Sequence, residues 1–171
     1  NAAIQAPSLA GIEPWYLEAQ LSVYREARRG RDHTVDATGS EMRTVAREIG
    51  PDRLAAIAPY VARFRHEPQA PTVIGTVAAG KSLYATHCAA CHGRKAEGNQ
   101  ALQAPSLVRL NDWYVVSALR KYRDGHRGTD PAFTPGVAMR AATLAAPADL
   151  SLEDIARYLN TLQPAAKRSK P

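Results

Sequence analysis

Two cysteines, two methionines and two phenylalanines are all that this 171-residue chain holds of those residues, and aromatic side chains make up 6% of it. A single cysteine pair leaves a zinc site two ligands short, with no second pair to complete it. Runs of β-branched or aromatic residues with period two are missing, which argues against an extensive sheet. Alanine is abundant instead, and the fold class expected is all-α. No stretch of 18 or more apolar residues occurs, so nothing in this sequence spans a bilayer as a helix. Hydrophobic residues still amount to 45%, enough for a packed core and too many for global disorder. The length allows one domain or two small ones.

What is present is concentrated. Both cysteines lie in His87-Cys88-Ala89-Ala90-Cys91-His92. Cys-x-x-Cys-His is the attachment sequence for c-type haem, and the spacing has a physical reason. On one helical turn, two thiols three residues apart face the same way and can each add to a vinyl group of one porphyrin. The next residue, His92, then lies where its imidazole can bind iron. Electron transfer by haem iron wants a second axial ligand, and methionine in that role raises the potential. Met139 follows His92 at a distance that can cover the opposite haem face. A thioredoxin-like redox pair would need a strand-helix unit, and no strand pattern precedes Val77. A disulfide between Cys88 and Cys91 is geometrically awkward. Covalent haem attachment is extracytoplasmic chemistry in bacteria, so a periplasmic location is expected, with a targeting segment removed.

The net charge of +6 is unevenly placed. Residues 1–75 carry nine arginines and nine acidic residues, and the remainder carries 13 basic and seven acidic groups. A basic face steers an acidic partner, so redox proteins with an acidic docking surface are the partners expected. Nucleic acid is not, because no basic helix with interleaved aromatics is present. Lys167, Arg168 and Lys170 form a basic tail over 165–171, most simply a solubilising one.

The sequence also repeats. Gln5-Ala6-Pro7-Ser8-Leu9 matches Gln103-Ala104-Pro105-Ser106-Leu107 with an offset of 98. The same offset carries Trp15-Tyr16 onto Trp113-Tyr114, Tyr24-Arg25 onto Tyr122-Arg123, Gly30 onto Gly128, and Ile57 and Tyr60 onto Ile155 and Tyr158. Met42 reaches Met139 with one residue of slippage. The chain is therefore read as two copies of one module: 1–67 an incomplete copy, 68–75 a proline-bearing linker, and 76–164 the complete one. The first copy has no thiol pair of its own. Met42 could serve a first haem if one exists, or act as a flexible core filler.

Caps and stripes give the coarse elements. Pro14 opens a helix with Trp15, Leu17, Leu21 and Tyr24 on one side, stopped by Gly30. A second helix runs from about Asp52 to about Phe64, with Leu54, Ile57, Val61 and Phe64 on its stripe; Pro59 bends it or marks its start. A helix from Val77 to about Ala90 delivers the cysteines. Asn111 or Asp112 caps the next, with Trp113, Val116, Leu119 and Tyr122 inward and Gly125 and Gly128 ending it. Ser151 and Asp154 resemble a capping box ahead of Leu152, Ile155, Leu159 and Leu162. His33, His66 and His87 read as solvated residues. His126, Arg123 and Arg127 read as an exposed basic turn, one member of which could reach a haem propionate.

On these residues the second copy resembles the class I cytochromes c, and the pair resembles the bacterial two-domain, two-haem cytochromes c, with the first attachment motif absent. Cys88-Ala89-Ala90-Cys91-His92 carries the likeness most specifically, followed by Ala104-Pro105-Ser106-Leu107 and Gly136-Val137-Ala138-Met139. The resemblance implies haem c attached through Cys88 and Cys91, His92 and Met139 as axial ligands, and a Pro105 carbonyl that orients His92 and raises its basicity. It implies outer-sphere electron transfer without catalysis, as a carrier or as the electron-transfer subunit of a respiratory or dehydrogenase complex. Two other readings differ in class: a haem subunit of a two-haem enzyme oxidising a small sulfur compound, and a haemless first module serving only to dock a partner.

Overall fold

The repeat in the sequence returns as a repeat of helices. A computed structural model describes residues 2–164 of the chain. In order come α1 (Pro14–Arg25), α2 (Ala37–Glu48), α3 (Pro51–Ala62), α4 (Val77–His87), the single turn α5 (Ala89–His92), α6 (Asp112–Arg123), α7 (Thr134–Ala145) and α8 (Leu152–Thr161). No strand occurs among the described residues, only an isolated bridge between Asn99 and Ala104. The all-α class and the two tandem modules hold. Helices α1 and α6 keep the 98-residue offset at both ends, and α2 and α7 keep an offset of 97.

Several local expectations change. Helices α1 and α6 end at Arg25 and Arg123, before the glycines expected to stop them. Ala27 and Gly125 take positive φ after them, while Gly30 and Gly128 turn the chain further on, at φ +67° and +76°. There a side chain would be strained, and a Cβ would also overlap the Gly39 or Gly136 backbone. Pro59 lies inside α3 rather than at its start. Asn111 stands at the N-cap position of α6 as expected, but its side chain makes no capping bond there, its carboxamide oxygen accepting from Ser8 N–H at 2.8 Å; Asp112 Oδ1 takes the Trp113 N–H of the first turn at 2.7 Å. Ser151 does cap α8, through Asp154 N–H at 3.1 Å, but the Asp154 carboxylate accepts from Thr76 N–H at 2.6 Å instead of closing a box.

The second module's core is built where α4 and α6 meet α8, around Tyr84, Val115, Val116, Leu152, Ile155 and Leu159. Gly80 lets α4 close onto α8, for a Cβ there would overlap the Asp154 carbonyl. One turn on, the Tyr84 ring packs against Tyr158, with centroids 5.5 Å apart, and the Tyr84 hydroxyl donates to the Gly93 carbonyl at 2.7 Å. The first module has a smaller core around Ile12, Leu17 and Ala58. Phe64, expected on the inward stripe of α3, is exposed, as is Tyr60 beside it. Leu110 packs against both cores and joins them.

Candidate haem-binding site

The helix expected to run to Ala90 breaks at Cys88, whose φ of −121° is not helical, and restarts as α5. The break turns the Cys-x-x-Cys-His stretch off the axis of α4, while Cys88 N–H still bonds back to the Tyr84 carbonyl at 2.9 Å. The two thiols are free, Cys88 half-buried and Cys91 exposed. Burial pushes the Cys88 thiol up to about 11, and the neighbouring Cys91 adds to this. Cys88 is thus held as a thiol rather than a thiolate at neutral pH.

His92 is buried at the end of α5. Its Nδ1 lies 2.8 Å from the Pro105 carbonyl oxygen. A carbonyl only accepts, so Nδ1 carries the proton and Nε2 keeps its lone pair. Burial lowers the His92 pKa, and the Pro105 bond offsets only part of that. The imidazole is neutral, the form that binds a metal. The loop that places Pro105 is tied down by Leu107 N–H to the Ala96 carbonyl at 2.9 Å and by the Asn99–Ala104 bridge.

Cys88, Cys91, His92, Pro105 and Met139 all line one cavity of about 440 Å³. Its remaining walls are largely apolar, with Leu107, Val115, Leu119, Leu150 and Ile155 among them. An imidazole with a free lone pair, a thioether and two thiols on apolar walls form a donor set that suits haem c, and the residues present fit that group. Met42 and Met139 are each the sixth residue of their helix, α2 and α7. Met42 is half-buried there.

Other residues fall differently from their sequence reading. Arg127 is buried at 6% exposure instead of forming an exposed turn, because its guanidinium lies on the Tyr122 ring and bonds Tyr16 and Gln20 of the first module. His66 is buried too, with neither ring nitrogen hydrogen bonded. His87 is half-buried on the cavity rim. His33 is exposed, as expected. Lys167, Arg168 and Lys170 lie outside the described residues. The sequence reading missed that Trp15, Tyr16, Ala19 and Gln20 of the first module wall the second module's cavity. The repeated Trp-Tyr pair was the available signal, since Tyr16 and Tyr114 both line it.

Comparison with known proteins agrees with this geometry. The family model for cytochrome c matches residues 77–163. A Cbb3-type cytochrome c oxidase subunit FixP from Sinorhizobium medicae is 28% identical over 118 residues, covering 66% of this chain and 40% of its own. A thiosulfate dehydrogenase electron acceptor from Thiomonas intermedia is 26% identical over 141 residues, 77% of this chain and 61% of its own. The chain thus spans less than two thirds of the length of these relatives. Among solved structures, cytochrome c4 of Acidithiobacillus ferrooxidans superposes with a TM-score of 0.71 at 23% identity, over 91% of this chain and 88% of that one, which speaks for the fold. With its helices, its Cys-x-x-Cys-His turn and the family match over the second module together, the chain belongs to the cytochrome c family.

Proposed function

We propose that this chain carries electrons through a haem c attached to Cys88 and Cys91, with His92 and Met139 as its axial ligands. The observation that carries the reading is the single apolar cavity that gathers those four side chains. Bound there, the group supplies one-electron redox chemistry. The chain's residues do the rest. Pro105 holds the His92 ring in one tautomer, leaving Nε2 as the ligating atom. Met139, on the same cavity wall, would supply the second protein ligand, and two protein ligands would leave no open position for a substrate. The apolar walls disfavour the more charged oxidised state and lift the potential.

A periplasmic setting and redox protein partners go with this reading, either as a free carrier or within a respiratory or dehydrogenase complex. The Thiomonas intermedia relative is named as an electron acceptor, which favours carrying over catalysis here. The sulfur-oxidising enzyme alternative needs a haem with a labile ligand, and Met139 stands against that for this cavity. A first haem using Met42 is a separate proposal, which intact mass with pyridine haemochrome stoichiometry decides. Two haems per polypeptide support it, and one supports a haemless docking module instead.

Met139→Ala tests the ligand assignment. The long-wavelength absorption band that reports iron–methionine bonding is expected to vanish and the reduction potential to fall, while haem remains covalently attached. A variant that keeps the band would sink the assignment.

A further inference from the structure

Glu13 stands just before α1 in the first module, where a carboxylate would ordinarily serve the free N–H groups of its own helix. Its side chain makes no such bond. Glu13 Oε1 reaches instead into the second module and accepts from Ser106 N–H at 2.9 Å. That N–H and the Pro105 carbonyl are the two ends of one peptide group, and the carbonyl oxygen lies 2.8 Å from His92 Nδ1. Carboxylate, peptide and imidazole therefore form one unbroken line of hydrogen bonds.

The peptide in the middle is held still. The Ser106 hydroxyl donates to the Ala96 carbonyl at 3.2 Å, and Leu107 N–H donates to the same oxygen at 2.9 Å. Gly98 lies so close that a Cβ there would overlap Ser106 N and the Pro105 carbonyl carbon. Glu13 is half-buried, and among the described residues no lysine or arginine is near enough to pair with it. Its charge is thus only partly screened. Burial lowers the His92 pKa, and the Glu13 charge is one of two influences that raise it. The reciprocal contact differs. Ser8 N–H, 98 residues before Ser106, donates at 2.8 Å to Asn111, a neutral carboxamide in the place corresponding to Glu13. Of the two paired contacts, only the one on the second module carries a charge.

We propose that Glu13 of the first module is a positioning residue that sets the donor strength of His92 through the Pro105–Ser106 peptide. Peptide resonance couples the N–H to the C=O. A charged acceptor on the N–H shifts electron density to the carbonyl oxygen, which then holds the Nδ1 proton more strongly. Nε2 becomes the better donor, and a better donor favours oxidised iron. Glu13 thus lowers the potential of the second module's haem, against the effect of the apolar walls. The inference rests on the haem reading above, and a haemochrome assay on each preparation keeps the two failures apart. A preparation without haem overturns that reading; haem present with an unmoved potential overturns the role of Glu13.

Glu13→Gln removes the charge and keeps an oxygen that can accept from Ser106 N–H. Its midpoint potential is expected to rise above that of the unmodified protein. Its His92 ring N–H resonance, read by 15N-edited NMR of the reduced protein, is expected to move upfield as the bond to Pro105 weakens. A tie that only joins the modules would leave both unchanged, which overturns the proposal. A raised potential with an unmoved ring resonance would show charge acting through space, and overturns the route through the peptide. The unmodified protein gives a check without substitution. After correction for the haem ring current, its Ser106 amide proton is expected downfield of ordinary amides, as a bond to a carboxylate requires; an ordinary position overturns the proposal.

Discussion

At Asp112 four donors converge on one carboxylate. Thr72 and Val73 offer backbone N–H groups at 2.6 and 2.9 Å, the Thr72 hydroxyl lies at 2.7 Å, and Trp113 N–H at 2.7 Å. Burial would raise this carboxyl's pKa, but the four bonds to its ionised form outweigh burial and lower it. A depressed folded pKa contributes stability above the unfolded value of about 3.9, and that stability fades as pH falls through the folded value. Asp112→Asn is therefore expected to cost about 1–3 kcal/mol in urea unfolding at pH 7, with the gap narrowing toward pH 3. A gap that is the same at both pH values would count against the ionised carboxylate as the cause. The same residue shows where sequence reading stops. A capping role for Asp112 follows from its place before Trp113, but its main partners are 40 and 39 residues away in the chain. Cys88, Cys91 and His92 were legible because their chemistry needs them adjacent. Arg127 was not, since an arginine between glycines reads as exposed unless the tyrosine that stacks on it is known.

Helices were legible in proportion to the strength of their own stripes and starts. Pro14 at the first position of α1 and the apolar stripe of α8 marked both, and Leu152, Ile155 and Leu159 are buried as expected. Helices α2 and α7 were seen only as methionine regions. Each buries just two residues, and those include a glycine, Gly39 or Gly136, so neither carries a readable apolar stripe. The contact that orients the attachment turn is that of α4 with α8. Its closeness depends on Gly80, where a Cβ would meet the Asp154 backbone. Backbone cannot move aside as a flexible side chain would. Gly80→Ala is expected to destabilise the second module by about 1–3 kcal/mol, read as a lower denaturation midpoint followed at the haem absorption. An unchanged midpoint would mean that α4 and α8 separate more easily than their packing implies.

The whole molecule is held by contacts that repeat the internal symmetry. Ser8 N–H bonds Asn111 and, reciprocally, Ser106 N–H bonds the Glu13 carboxylate at 2.9 Å. Arg109 donates to the Gly11 carbonyl at 2.9 Å. A further tie has no mate: Lys121 of the second module donates to the buried Asp36 at the start of α2, at 2.6 Å, and to Thr38. Asp36 Oδ2 has no partner, so Lys121 supplies its charge balance. Lys121→Met should leave that carboxylate buried and uncompensated, at a cost on the order of 2 kcal/mol. Calorimetry should show the first module melting earlier than the second; one unshifted transition would refute the tie.

By itself the sequence determined the helical class, the doubling of one module and the thiol-imidazole turn, because each is written in neighbouring residues or in a fixed offset. Tertiary structure alone decided that the first module walls the second module's cavity, that the buried Arg29 and Arg127 share the Gln20 carboxamide oxygen, and that Asp112 latches the linker. Those pairings join residues some 40 to 110 positions apart, and which side chains meet at such separations follows from how helices pack, not from any local pattern.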